Sequence, residues 1–311
     1  MDANLDHPNR VDYRQSLPAL PEGFQFVDSH HHFWDLSRPG YSWLKENRDM
    51  AQYLGPYDPI CEANFLVGDL KRTAESVNLI KSVHIETQDI KNPVEETEWL
   101  QKMSDNDPDG FPHGIIGAAD LCRADLIHVL DRHCEFSNFR GIRALIFRDP
   151  SFSYSDEFLG GLKQLSQRGL ILETDADWQH MKMYGAFANA LPNLQIVLNH
   201  CGFPKYRTSA YFNAWKVSIR EFAKNENIVC KISGLGMTDH NWSLESIRPW
   251  VETCLESFGI DRCMFASNWP VDSLFSDYEE VIRSYFDIVK DLSFDECDKL
   301  FRKNSEKIFR I

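Results

Sequence analysis

The sequence predicts an α/β protein, a single-domain (β/α)8 TIM barrel with an N-terminal arm, from three observations. Eight short apolar runs alternate with amphipathic stretches of helical length. The runs are apolar almost throughout, and no Gly-x-Gly-x-x-Gly turn follows the first of them. Near-continuous apolar strands belong to parallel sheets covered by helices, and eight is the count that closes such a sheet into a barrel. A doubly wound open sheet is the alternative, and the missing glycine turn speaks against it.

Residues 1–22 hold three prolines and no periodicity, which predicts a flexible lead-in or an arm packed on the surface; the barrel is assigned to 23–311. Strands are expected at 24–30, 80–86, 114–119, 141–147, 169–173, 195–200, 228–233 and 262–267. Between them, helices are expected near 64–76, 93–105, 123–134, 156–168, 178–190, 209–225, 243–257 and 277–291, with 293–304 last. Ser293 stands in position to cap that final helix. A long loop carrying Trp34, Tyr41 and Trp43 runs from the first strand to about Pro59.

With 311 residues, 43% of them apolar, the chain can bury a large core. A formal charge of −14 argues against a nucleic-acid binder, whose footprint is a basic patch. It leaves room for a few arginines to hold a small, anionic substrate. The eight cysteines are scattered, with no C-x-x-C pair, which reads as reduced thiols and not as a disulfide framework. The first residues are polar and lack the apolar core of a signal peptide, and no run approaches the ~18 apolar residues of a membrane span. The expectation is a soluble cytoplasmic protein acting on a small molecule, with no nucleic-acid or membrane partner and with homo-oligomerisation left open.

In a barrel of this kind the active site lies at the C-terminal ends of the strands. The polar residues expected there are His30 and His32, Glu86, Arg143 and Arg148, Glu173 and Asp175, His200, Lys231 and Ser233, and Asn268 with Asp272. They come from seven strands. Strand alternation puts His30 and His32 on one face and turns His31 to the other. A His-x-His pair can present two imidazoles to one divalent metal ion; the plain alternative is hydrogen bonding in the barrel mouth without a metal.

The stretches Asp-Ser-His-x-His-x-Trp at 28–34, Val-Leu-Asn-His-Cys-Gly-x-Pro at 197–204, Lys-Ile-Ser-Gly-Leu at 231–235 and Cys-Met-Phe-Ala-Ser-Asn-Trp-Pro-Val-Asp at 263–272 carry a resemblance. In this order, with Gly-Ile-Arg at 141–143 and Leu-Phe-x-x-Asn at 300–304, they resemble the amidohydrolase-related family. The nearest branch is that of metal-dependent hydrolases that includes sugar lactonases and 2-pyrone-4,6-dicarboxylate lactonase. The resemblance implies a hydrolase that opens a lactone with an activated water, and a divalent metal, Zn2+ first, although members of the branch differ in needing one. It assigns His30, His32 and His200 to the site.

The family's last-strand aspartate falls on Asn268, and an amide cannot accept a proton at neutral pH. Three accounts follow. Asp272, Glu86, Glu173 or Asp175 replaces the base, with Glu86 favoured because it ends the second strand and completes a His-His-Glu ligand set; or Asn268 binds substrate by its amide and the reaction is non-hydrolytic, such as a decarboxylation; or the barrel binds a ligand without turnover. Arg143, Arg148, Lys231, Trp34 and Tyr41 are the candidate substrate contacts, each with a plainer reading as an ion-pairing or packing residue. Lys231, inside an apolar strand, is costly there unless paired. Cys201 is read as a small core residue.

Overall fold

In the computed structural model, which describes residues 16–89, 91–144 and 155–311, eight strands follow one another around a single sheet. They are β1 (Phe26–His31), β2 (Leu79–Ile85), β3 (Gly114–Ala118), β4 (Phe139–Ala144), β5 (Ile171–Thr174), β6 (Ile196–Leu198), β7 (Ile228–Ile232) and β8 (Cys263–Phe265). Each pairs in parallel with the next. Just beyond β8 the chain returns to β1: His31 and Trp269 form a parallel bridge, Asn268 N donates to His30 O at 2.9 Å, and His32 N donates to Trp269 O at 2.8 Å. The sheet is a (β/α)8 barrel, as its apolar runs predict.

All eight expected strands are present, and one boundary matters for function. β4 begins at Phe139, so Arg143 is its penultimate residue at the catalytic end and not near its start. The rest of the run expected to 147 lies outside the described residues.

The loop after β1 is not irregular; it contains three single turns of helix, α1 (Ser42–Lys45), α2 (Ala51–Leu54) and α3 (Asp58–Cys61). The covering helices are α4 (Val67–Thr73), α5 (Val94–Asn106), α6 (Leu126–His133), α7 (Asp156–Gln167), α8 (Met181–Ala190), α9 (Ser209–Phe222), α10 (Leu244–Phe258) and α11 (Tyr278–Val289). Side chains that favour caps start several of them: Ser155 accepts from Phe158 N, Thr208 from Tyr211 N and Asp277 from Glu280 N. The buried stripe of α11, Val281, Ile282, Tyr285 and Val289, has the spacing that presses one helical face on the sheet.

The last helix outruns its expected end. It starts as α12 (Phe294–Asp298), capped by Ser293 and Glu296 reciprocally, widens into a π-turn at Lys299–Lys303 and ends as α13 (Asn304–Phe309). Residues 16–22 are also described: Leu17 is buried, and Arg283 of α11 donates to the carbonyls of Leu17 and Pro18. No helix among the described residues is long and apolar enough to cross a membrane. The eight cysteines are free thiols, and Cys201 is fully buried in the core.

Inside the barrel the strands contribute Val83, Ile85, Ile116, Ile171, Val197, Val229 and Met264, and Phe309 packs into this layer from the end of α13. Also buried inside the barrel, Lys231 Nζ donates to Glu173 Oε1 at 2.6 Å with neither side chain exposed. The same ammonium stands 4.9 Å from the centroid of the Phe309 ring. Burial pushes the Glu173 carboxyl up and the Lys231 amine down, while the partner opposes each shift.

Two buried charges tolerate the interior only as a pair. Glu173→Gln is expected to destabilise the fold by about 3–5 kcal/mol, because it strands the ammonium. The double variant Glu173→Leu/Lys231→Met should instead unfold near the wild-type urea midpoint. Equal losses in the single and double variants would refute the pairing argument.

Candidate active site

The histidines of β1 alternate as expected, and the alternation gives them different chemistry. His30 and His32 share the inner face, their ring centroids 5.0 Å apart, and His200 closes on His30 at 4.4 Å. His31 turns outward to Ser82 Oγ, 2.9 Å from its Nε2. His84, on β2 two residues before Glu86, is structural: its Nδ1 accepts from Phe33 N at 3.0 Å, so its proton sits on Nε2, 3.4 Å from Glu96 Oε1.

Hydrogen bonding leaves the inner three with free nitrogen edges. His32 Nδ1 lies 2.9 Å from the Ile85 carbonyl, which only accepts; the proton is therefore on Nδ1, and Nε2 carries the lone pair. His200 Nδ1 pairs with Ser233 Oγ at 2.9 Å. Both ring nitrogens of His30 are buried with no protein partner. Burial drives all three below the ordinary histidine value, His200 to about 4 against the opposing pull of Asp175, so the imidazoles are neutral at neutral pH.

The backbone is forced to place His200. Residues 200–203 run through four consecutive left-handed conformations, with φ of 52° at His200, 55° at Cys201, 73° at Gly202 and 47° at Phe203. Each non-glycine there costs ~1–2 kcal/mol. Trp215 Nε1, donating to Cys201 O at 2.8 Å, helps hold the turn. Gly234 completes the seat, since a Cβ on it would stand 2.6 Å from His200 Nδ1.

Above the histidines opens a cavity of about 480 Å3 lined by His32, Glu86, Arg143, Asp175, His200 and Asn268 among others. Glu86 and Arg143 occupy each other: Arg143 Nε donates to Glu86 Oε1 and Nη2 to the Glu86 carbonyl, both at 2.8 Å. Asp175 differs. It is buried at the cavity wall, its Oδ1 has no hydrogen-bond partner, and it lies 3.9 Å from His200 Nε2. Asn268, at φ 57°, donates from Nδ2 to Asp272 Oδ2 at 2.6 Å.

Several expected contacts lie elsewhere. Lys231 is not at the cavity wall, because it sits within β7 and is consumed by Glu173. Trp34 is fully buried, donates its Nε1 to Ala63 O and packs on Trp43 and Phe65. Tyr41 is likewise buried, its hydroxyl near Asp35 N, and burial raises it above the usual phenol value. Asp272 is not at the wall either; it backs Asn268. Arg143 is at the wall but its Nε edge is held by Glu86, which limits it as a two-pronged clamp. Arg148 lies outside the described residues.

The apolar side of the cavity, Trp43, Met50, Leu54, Phe203, Met237 and Val271, comes largely from loops and short turns. Of these only Trp43 is legible as a candidate in the sequence, since such segments carry no periodicity to read.

A parallel eight-stranded barrel with imidazoles and carboxylates gathered at its C-terminal mouth is an enzyme barrel built for polar chemistry on a small molecule. The chain belongs to the amidohydrolase family, which matches residues 27–311, and the protein is a hydrolase of that kind. It is 37% identical over 296 residues to the uncharacterized protein y4mH of Sinorhizobium fredii, covering 92% of this chain and 98% of that one. It is 27% identical over 260 residues to an L-fucono-1,5-lactonase of Burkholderia ambifaria, covering 81% and 83% respectively. An amidohydrolase of Burkholderia multivorans crystallised with bound zinc shares the fold with a TM-score of 0.78 at 22% identity, over 92% of this chain and 99% of that one.

The buried neutral histidines set a pH dependence. The folded pKa of His200, about 4, lies below the unfolded value of 6.5, so the unfolded chain takes up the proton first as pH falls. Stability is lost from pH 6.5 down to about 4, and for His200 alone the loss by pH 5 is about 2 kcal/mol. Urea unfolding of chelator-treated protein at pH 7 and pH 5 should show wild type losing about that much more than His200→Asn. Equal losses would mean that His200 is not held neutral.

Proposed function

We propose that the protein opens the ring of a lactone, of a sugar acid or an aromatic-degradation intermediate, by attack of an activated water. The observation that carries this reading is Asp175, a carboxylate at the cavity wall with a free Oδ1, 3.9 Å from His200 Nε2. Of the carboxylates considered for the base, Glu173 is tied to Lys231, Glu86 to Arg143 and Asp272 to Asn268. In the proposed step, Asp175 takes one proton from water as its oxygen bonds to the lactone carbonyl carbon. The ring C–O bond then breaks, and the proton passes to the departing ring oxygen, giving the open hydroxy acid. The relatedness to a fucono-lactonase at 27% identity supports the substrate class.

The chemistry of the donors also suits a divalent metal, Zn2+ first. His30, His32 and His200 would hold it, since they are neutral imidazoles with free nitrogen edges, and the two partnerless nitrogens of His30 are otherwise unexplained in a buried position. Glu86 is the weaker fourth ligand, because Arg143 holds its Oε1. When bound, such an ion supplies a Lewis-acidic centre that polarises a carbonyl oxygen.

Assay of a panel of aldonolactones and pyrone lactones should find turnover that Asp175→Asn lowers by ~10²–10⁴-fold. Metal analysis of gently purified protein should find close to one divalent ion, lost in His30→Ala/His32→Ala. Release of CO2 from an aromatic acid without opening of any lactone would overturn the hydrolytic reading in favour of a lyase.

A further inference from the structure

Asp272 and Asn268 form a unit that the proposed reaction has not used. Asn268 sits at the turn after β8, fastened to β1 by its backbone N on His30 O and lining the cavity. Its Nδ2 faces Asp272 Oδ2 at 2.6 Å, and both side chains are buried. An ionised carboxylate only accepts hydrogen bonds, so it selects one of the two amide orientations, the one with NH2 toward Asp272. The carbonyl end, Oδ1, is then the end of the amide left for the cavity.

We propose that Asp272 is a positioning residue that holds Asn268 with Oδ1 as a fixed acceptor for the attacking water. This rests on the hydrolytic reading given above. Water has two hydrogens: Asp175 takes one as a proton, and Asn268 Oδ1 accepts a hydrogen bond from the other. A lone pair of the water oxygen then points at the carbonyl carbon. The asparagine therefore orients the nucleophile without serving as its base, and the two duties of a single last-strand carboxylate are divided between Asp175 and Asn268. Without Asp272 the amide turns freely and offers NH2 to the water as readily as oxygen.

The arrangement also explains why a base cannot simply be restored at this position. Asn268→Asp would set two carboxylates at hydrogen-bond distance, where both cannot ionise. The left-handed backbone tolerates aspartate as well as asparagine, so charge and not conformation decides the outcome.

Three variants test the unit: Asp272→Asn, Asn268→Asp, and the exchange Asn268→Asp/Asp272→Asn. The exchange restores an amide donor facing a carboxylate and keeps an acceptor oxygen toward the cavity. On a lactone that wild type turns over, each single variant should lose ~100-fold in kcat with KM little changed. The exchange should recover most of that loss. An exchange no better than the singles, or Asp272→Asn with unaltered kcat, would overturn the proposal.

A second measurement is independent of turnover and so separates this inference from the lactonase reading. In 15N-labelled protein the side-chain NH2 signals of Asn268, identified by their loss in Asn268→Asp, should be resolved and slow to exchange. Asp272→Ala should make them exchange rapidly. Signals that do not respond to Asp272→Ala would refute the positioning role even in a protein inert toward every lactone.

Discussion

The geometry of the site hangs on one buried carboxylate. Asp28, in the middle of β1 and without solvent exposure, accepts from Ser267 N at 3.0 Å, Ser267 Oγ at 2.6 Å, Tyr278 Oη at 2.9 Å and His30 N at 3.3 Å. Burial raises its pKa, and each of these donors pulls the other way. Hydrogen bonds to a charged acceptor are the strong kind, worth ~1.5–3 kcal/mol each. Asp28 thereby latches the first strand to the segment after the last, across 239 residues of chain. Because Asn268 follows Ser267 directly and His30 lies two residues from Asp28, the latch sets the distance between them. Closing the barrel and assembling the mouth of the site are one event.

The alternation of apolar runs made the barrel legible, since strand period and strand count follow directly from residue pattern. The same alternation separated His30 and His32 from His31, whose outward bond to Ser82 is its geometric consequence. What the chain did not disclose were matters of one or two residues and of long-range pairing. Arg143 reads as the start of a strand until β4 is seen to begin at Phe139. Trp34 and Tyr41 follow the first strand like a lid, but buried packing and turns of helix claim them. Lys231 announced that it needed a partner, and nothing local identified that partner as Glu173, 58 residues away. Glu86 reads as the favoured base until its Oε1 is seen to be held by Arg143, another long-range pairing.

Such pairing is the chemical logic of the interior. The chain carries a formal charge of −14, yet the ionisable groups near the cavity are mostly committed. Glu86 has Arg143, Glu173 has Lys231, Asp28 has its four donors, and Glu96 accepts from Thr87 N and Thr87 Oγ1 at 2.8 Å each. Pairing keeps buried charge affordable and fixes side chains in place. Single atoms still lack partners, among them Glu96 Oε2, Glu173 Oε2, both His30 ring nitrogens and Asp175 Oδ1, and His30 and Asp175 both flank His200. A buried polar atom without a partner is costly, and such atoms gather where function requires them.

The Phe309 layer also bears on the buried ion pair. Apolar side chains from the strands and this one ring from the terminal helix seal the lower end of the barrel. Phe309 O accepts from Arg140 Nε near the start of β4, so this layer lies at the opposite end of the strands from the cavity. The Phe309 ring stands 4.9 Å from the Lys231 ammonium, so α13 also helps keep water from the buried ion pair with Glu173. The helix that caps the barrel from below is thus also the shield of the ammonium buried within it.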